Sequence, residues 1–166
     1  IDCLDVSVEM SLRAKVFSLA YTQGIFCISA PVIGFGVLQV VCNPEGETMT
    51  PFISFLDKIL QTKKLPNLFR NAYSDIALDS IEQNLASGKI PSLSIGPLVA
   101  TSLVTTEVTI ILQNKAKMAW REPIALPNIL MMDTLTMNYK VLNIHDLNND
   151  DRFQFTELDI IKPSGI

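Results

Sequence analysis

The 166 residues predict an α/β fold, a sheet carrying helices on both faces and closed by a C-terminal antiparallel hairpin. Three observations predict it. Over residues 1–28 an apolar run, a helical stretch and a second apolar run follow one another, the order of a β-α-β unit. From Gly96-Pro97 to about Lys115 the chain is apolar at a length that suits a buried helix. Two β-rich runs between Asn128 and Leu142 are separated by a turn at Asp133-Thr134, which reads as a hairpin.

Taken in order, Ile1–Leu4 is a short apolar run that ends at Asp5, and Val6–Gln23 follows with Val8, Leu12, Val16, Leu19 and Ala20 at helical spacing. Gly24 stops that helix, and the continuous apolar run Ile25–Ile28 suits a covered strand of a parallel sheet. Gly36–Cys42 is rich in β-branched residues and ends in the turn signal Asn43-Pro44-Glu45-Gly46, so it is a second strand. Helical spacing returns between Thr50 and Gly88, with Phe52, Phe55, Leu56 and Ile59, then Leu65–Tyr73, then Ile76, Leu78, Ile81 and Leu85. Two or three short helices fit, with Asp75 and Asp79 placed to cap helix starts. Ile90–Ser94 reads as a loop. The hairpin strands are expected at Asn128–Met132 and Met137–Leu142, and the polar tail from His145 onward holds less core-forming material.

Composition narrows the function. A hydrophobic fraction of 48% in 166 residues supports one ordinary domain with a real core. The net charge of −4 and pI near 4.9 argue against a nucleic-acid surface or an anionic membrane, since phosphate binding draws on clustered Lys and Arg. Cys3, Cys27 and Cys42 lack CxxC spacing and lie in apolar stretches, which favours small-hydrophobe roles in a reducing, cytoplasmic setting. The apolar stretch Ile95–Leu112 is interrupted by Ser102, threonines and Glu107, so a membrane span is not expected. The chain opens on Ile1 without the basic and long apolar regions of a signal peptide, and is expected to be cut from something longer.

Three stretches in chain order carry a family resemblance. Asp2-Cys3-Leu4-Asp5, followed by a helix containing Arg13, resembles the Asp-Cys-x-Asp-Asn segment of the ThiF/MoeB/HesA family, whose fold is shared with ubiquitin-activating enzymes. Residues 25–36, reading IFCISAPVIGFG, are similar to that family's strand and following small-Pro-hydrophobic-Gly-x-Gly loop. Gly96-Pro97-Leu98-Val99-Ala100, leading into a helix with Glu107, resembles its late Gly-Pro-x-x-Ala helix, and the hairpin with Asp133 and Tyr139 follows in the same order. The resemblance implies that residues 1–142 form the C-terminal half of an adenylating domain, a partial Rossmann-like three-layer sheet, with 143–166 an acidic tail packed on it or extending from it.

The same resemblance implies Asp5 and Arg13 as nucleotide-binding residues, Asp5 as the Mg²⁺ ligand, ATP and Mg²⁺ as cofactors of the parent protein, and a ubiquitin-like or sulfur-carrier protein as partner. It also implies a homodimer. It departs from the family pattern where Val6 replaces the usual Asn, where Arg13 lies farther from Asp5 than usual, and in lacking the Gly-rich phosphate loop, a CxxC pair and a cysteine matched to thioester formation. The 166 residues alone are therefore expected not to turn over. A catalytically silent binding or dimerisation module is the alternative.

The residues themselves leave other readings open. Asp5 at a strand end can hold Mg²⁺ or simply cap the following helix. Gly34 and Gly36 can admit a substrate tail or serve a turn. Cys27 is expected to be buried and inert, and His145 to be a loop residue. Asp146, Asn148, Asp150, Arg152, Gln154 and Glu157 fall at the ligand positions of a calcium loop, but Asp151 stands where the glycine belongs, so a solvated acidic turn is the simpler expectation.

Overall fold

The computed structural model describes residues 1–4, 8–71, 73, 75–89, 94–118 and 120–153. Among these residues the fold is mixed α/β, with five α-helices and a sheet of five strands. Asp5, Val6, the loop positions 90–93, and Gln154 and Glu157 of the acidic tail lie outside the described residues.

The chain starts with the 1–4 segment, which meets the next strand through one parallel bridge, Asp2 to Ser29. Helix α1 (Met10–Thr22) connects them, and strand β1 (Cys27–Ser29) follows. The expected first strand is thus reduced to this single parallel bridge ahead of α1 and β1. Beyond it the parallel expectation fails. β1 pairs antiparallel with β3 (Gly36–Cys42), in a register that sets Cys27 opposite Cys42 and Ser29 opposite Val40. β3 also pairs antiparallel with β2 (Val32–Ile33) and with β4 (Asn128–Asp133), and β4 with β5 (Asn138–Asn143). The sheet order is β1-β3-β4-β5. A continuous apolar run reports that a strand is covered on both faces; it carries no information about the direction of its neighbour.

β3 is the central strand and every residue in it is buried. Leu38, Val40 and Cys42 share the main core with Phe52, Phe55, Leu56 and Ile59 of α2 (Thr50–Thr62), with Leu78, Ile81 and Leu85 of α3 (Asp75–Ala86), and with Ile129 and Met131 of β4. The i, i+3, i+4, i+7 spacing of the α2 residues puts them on one stripe facing the sheet. On the opposite face Val41 and Ile28 pack with Ile111 of α4 (Ile95–Lys115). Asp75 opens α3, whereas Asp79 falls inside it and starts no helix.

Two further features are set by the packing. Leu12, Val16 and Leu19 of α1 are exposed, and the helix instead buries Arg13 and Phe17. The larger Phe17 ring and the ion pair of Arg13 turn the helix onto that face. The region after residue 143 also contributes to the core. Ile144 and Leu147 of α5 (Ile144–Asn148) are fully buried, and Phe153 packs edge-on to Phe55 with centroids 6.0 Å apart. Three well-spaced apolar residues are enough to anchor a segment whose average composition is polar.

Candidate functional site

The site is built where the 1–4 segment and β1 end side by side. The Asp2 N–H donates to Ile28 O at 2.7 Å, which fixes the segment to the sheet edge. The Asp2 carboxylate then accepts from three donors: the Arg13 guanidinium, the Ser29 hydroxyl at 2.8 Å and the Leu4 N–H at 2.9 Å. Arg13 reaches down from α1 and donates a second bond to Leu4 O at 3.1 Å. The Asp2 and Arg13 side chains are 2% and 3% exposed, so this is a buried, multiply bonded ion pair. It grips both ends of the three-residue stretch from Asp2 to Leu4.

Beside this pair lies a cleft of about 840 Å³, lined by Asp2, Leu4, Ser29 and Arg13 on one side and by Pro97 and Thr101 of α4 on the other. The close approach of α4 depends on Gly96, where a β-carbon would fall 2.2 Å from a Val32 methyl. The cleft therefore sits at the carboxyl end of β1 and of the segment parallel to it, under the N-terminal turn of a long helix. Its volume is that of a small-molecule site. Its described charged side chains, Asp2 and Arg13, pair with each other. The Thr101 hydroxyl donates to Pro97 O at 2.8 Å.

Of the residues expected from the sequence, Arg13 is at the cleft, turned toward Asp2 and Leu4, and Asp5 lies outside the described residues immediately after the gripped segment. Sequence reasoning missed Asp2 and Ser29 as the partners that hold Arg13. A buried guanidinium needs a carboxylate, and Asp2 was available in the same motif, but nothing in the spacing pairs residues 11 apart across a strand and a helix.

The glycines serve the fold. Gly34 sits at φ +60° in the tight connection from β2 to β3, and a β-carbon on Gly36 would fall 1.7 Å from the Tyr73 hydroxyl oxygen. That hydroxyl donates to Ile33 O at 3.4 Å, and burial, followed by the nearby Asp133, pushes its pKa up. Cys27 and Cys42 are buried free thiols facing each other across β1 and β3. Burial raises both pKa values, that of Cys42 to about 11, so neither is an activated nucleophile. Cys3 is exposed.

The acidic tail is occupied by structural bonds. Asp146 and Asn148 lie in α5, the Asn148 amide donates to Pro51 O at 2.8 Å, and Asp150 accepts from the N–H groups of Asn67 and Arg152 at 2.7 and 3.1 Å. Arg152 pairs with Glu82 at 2.8 Å. Helical backbone at the first positions of the calcium pattern separates side chains that such a loop must converge. Among the described residues no three His, Cys, Asp or Glu side chains are grouped to hold a metal. His145, in the first turn of α5, pairs with Glu47 at 2.8 Å.

Comparison with protein-family models, curated proteins and solved structures finds no match to this chain.

Proposed function

We propose that the chain is part of an ATP-dependent adenylyltransferase that activates the C-terminal carboxylate of a ubiquitin-like or sulfur-carrier protein. The observation that carries this reading is the Asp2–Arg13–Ser29 brace. It holds the short segment that bridges β1 in parallel beside a cleft of nucleotide size, at the carboxyl end of β1. In this reading Arg13 is a positioning residue. It neutralises Asp2 and ties down Leu4 O, and Asp5, the next residue in the chain, carries the hard carboxylate oxygens that suit Mg²⁺.

The reaction joins a carboxylate oxygen of the carrier to the α-phosphate of ATP, breaks the bond to the β-phosphate and releases pyrophosphate, leaving an acyl-adenylate. The cleft's part is to orient the adenylate end against the apolar wall of Pro97, Ala100 and Val104 and to shield it from water. Arg13 is committed to Asp2, so in this reading cationic stabilisation of the outer phosphates comes from other groups. A partial Rossmann-like arrangement belongs to the same reading. The buried free thiols support a reducing, cytoplasmic setting.

The test is a titration of the chain with Mg-ATP followed by amide chemical shifts. Shifts concentrated at residues 2–4, Ser29 and Thr101, and abolished by Asp5→Asn, are expected. Shifts that ignore these positions, or none at saturating nucleotide, overturn the reading. A second reading, a catalytically silent binding or dimerisation module, is favoured by the exposed outer face of α4.

A further inference from the structure

β1 and β3 set two of the chain's three cysteines directly opposite each other, Cys27 against Cys42. Residues opposite in an antiparallel pair project from the same face of the sheet, and both side chains belong to the main core cluster. The ladder fixes their spacing. Ile28 O accepts from the Asp2 N–H and Val41 O accepts from the Leu126 N–H, so at the Ile28–Val41 pair the two strands turn their carbonyls away from each other. Bonded and non-bonded pairs alternate along an antiparallel ladder, which makes Cys27–Cys42 a hydrogen-bonded pair with Cα atoms about 5.5 Å apart. That separation lies inside the range of about 4.4–6.8 Å that a disulfide spans. Opposed Cβ atoms stand about 4.5–5.5 Å apart in a sheet and about 3.8 Å apart in a disulfide, so a bond forms when they close by roughly an ångström.

We propose that Cys27 and Cys42 are an oxidisable pair, a modification site at which a peroxide joins β1 to β3 through a reversible disulfide. Cys27, 9% exposed against 1% for Cys42, is the thiol that meets the oxidant. β1 is three residues long and meets the 1–4 segment through a single bridge, so admitting a small oxidant takes only a local opening. The Cys27 sulfur attacks one peroxide oxygen, the O–O bond breaks, and the other oxygen leaves as water with the thiol proton, giving a sulfenic acid. The Cys42 sulfur then attacks the Cys27 sulfur, the S–O bond breaks, and the hydroxyl leaves as a second water with the Cys42 proton. Two thiols and one peroxide become one disulfide and two waters, with two electrons passing from sulfur to oxygen.

Burial disfavours both thiolates, which slows the first step at neutral pH and keeps the pair reduced against a brief exposure. A bond that draws its strands together is the readily reduced kind, so a dithiol restores both thiols.

Closure changes contacts at both ends of the pair. Reduced Cys42 donates from Sγ to Glu47 O at 3.2 Å, beyond the turn that follows β3, and the Glu47 side chain pairs with His145 of α5. The disulfide removes that donor. Cys27 stands two residues before Ser29, whose hydroxyl binds Asp2, and Ile28 between them accepts the Asp2 N–H. A covalent tie at Cys27 holds this sheet edge against β3. Oxidation therefore tightens the edge that carries the Asp2–Arg13–Ser29 brace and loosens the chain at Glu47. The inference uses the sheet alone and stands apart from the nucleotide reading of the cleft.

The test uses the Cys3→Ser chain, which loses only an exposed thiol and leaves Cys27 and Cys42 as its two cysteines. The folded chain is treated with hydrogen peroxide and read by intact mass. A monomer lighter by about 2 Da, returned to its starting mass by dithiothreitol and giving a Cys27–Cys42 cross-linked peptide on digestion, is expected. Amide exchange at Asp2 and Ser29 is expected to slow by roughly tenfold in the oxidised chain. An unchanged mass, under an exposure that oxidises the same chain unfolded in urea, overturns the proposal and leaves two inert core thiols. Gain of oxygen without the cross-link, or disulfide-linked dimers, overturns it as well, because either result means that the two sulfurs do not meet. A disulfide that leaves exchange at Asp2 and Ser29 unchanged overturns the coupling to the brace.

Discussion

Replacing Arg13 with Met keeps most of the side-chain volume on the buried face of α1 and removes the charge that faces Asp2. The Asp2 carboxylate retains the Ser29 hydroxyl and the Leu4 N–H but loses its counter-charge at a site where both partners are almost wholly buried. Leaving one member of a buried pair uncompensated costs about 3–5 kcal/mol. At about 2–4 °C per kcal/mol for a chain of this size, the melting temperature falls by about 6–20 °C. Removing both charges with Asp2→Asn/Arg13→Met recovers part of the loss, because the buried charge is gone. Urea unfolding of the four members of the cycle, with amide shifts of Cys3 and Leu4 as the local readout, measures this. An Arg13→Met chain within about 1 kcal/mol of the parent, a typical surface-pair effect, refutes the claim that this pair holds the segment.

Two further outcomes follow from the packing. Gly36→Ala places a methyl 1.7 Å from the Tyr73 hydroxyl oxygen and 2.4 and 2.7 Å from two ring carbons. Chemical denaturation is expected to show a loss of about 1–3 kcal/mol, of which Tyr73→Phe restores only part because the ring carbons still collide. Stability is expected to decline as pH rises from the ordinary thiol value of 9.0 toward about 11. Over that range the unfolded chain releases the Cys42 proton while the folded chain, its thiol pKa raised by burial, keeps it. Cys42→Ala flattens this part of the denaturation-versus-pH profile, and an unchanged slope counts against a buried thiol at this position.

The cleft and the α4 face make separate demands on the same helix. Its N-terminal turn closes the cleft through Gly96 and Pro97, its inner face packs Ile111 on Val41 and Ile28, and its outer face is bare. A change on the outer face therefore tests assembly without altering the cleft wall directly.

Much of the chain is legible as local pattern. β3 runs from Gly36 to Cys42 as its β-branched residues indicate, α4 ends at Lys115, and the hairpin strands lie within about two residues of where alternation and the Asp133 turn place them. The α2 stripe of Phe52, Phe55, Leu56 and Ile59 is buried as its spacing requires. These features depend on residues within a turn or a strand length of one another, which is the range over which periodicity carries information.

What the sequence by itself determined is therefore the kind of each main element, the apolar stripe of α2 and a motif in which Asp2, Asp5 and Arg13 stand close together along the chain. Only the tertiary structure decided that β1 runs antiparallel to β3, that α1 buries Arg13 and Phe17 while Val16 and Leu19 face outward, that Asp2 and Ser29 are the residues Arg13 holds, and that Ile144, Leu147 and Phe153 join the core. Each of these depends on which surface an element meets. That choice is made by side chains distant in sequence competing for the same buried volume and the same hydrogen-bond partners, and a local pattern contains no record of its neighbours.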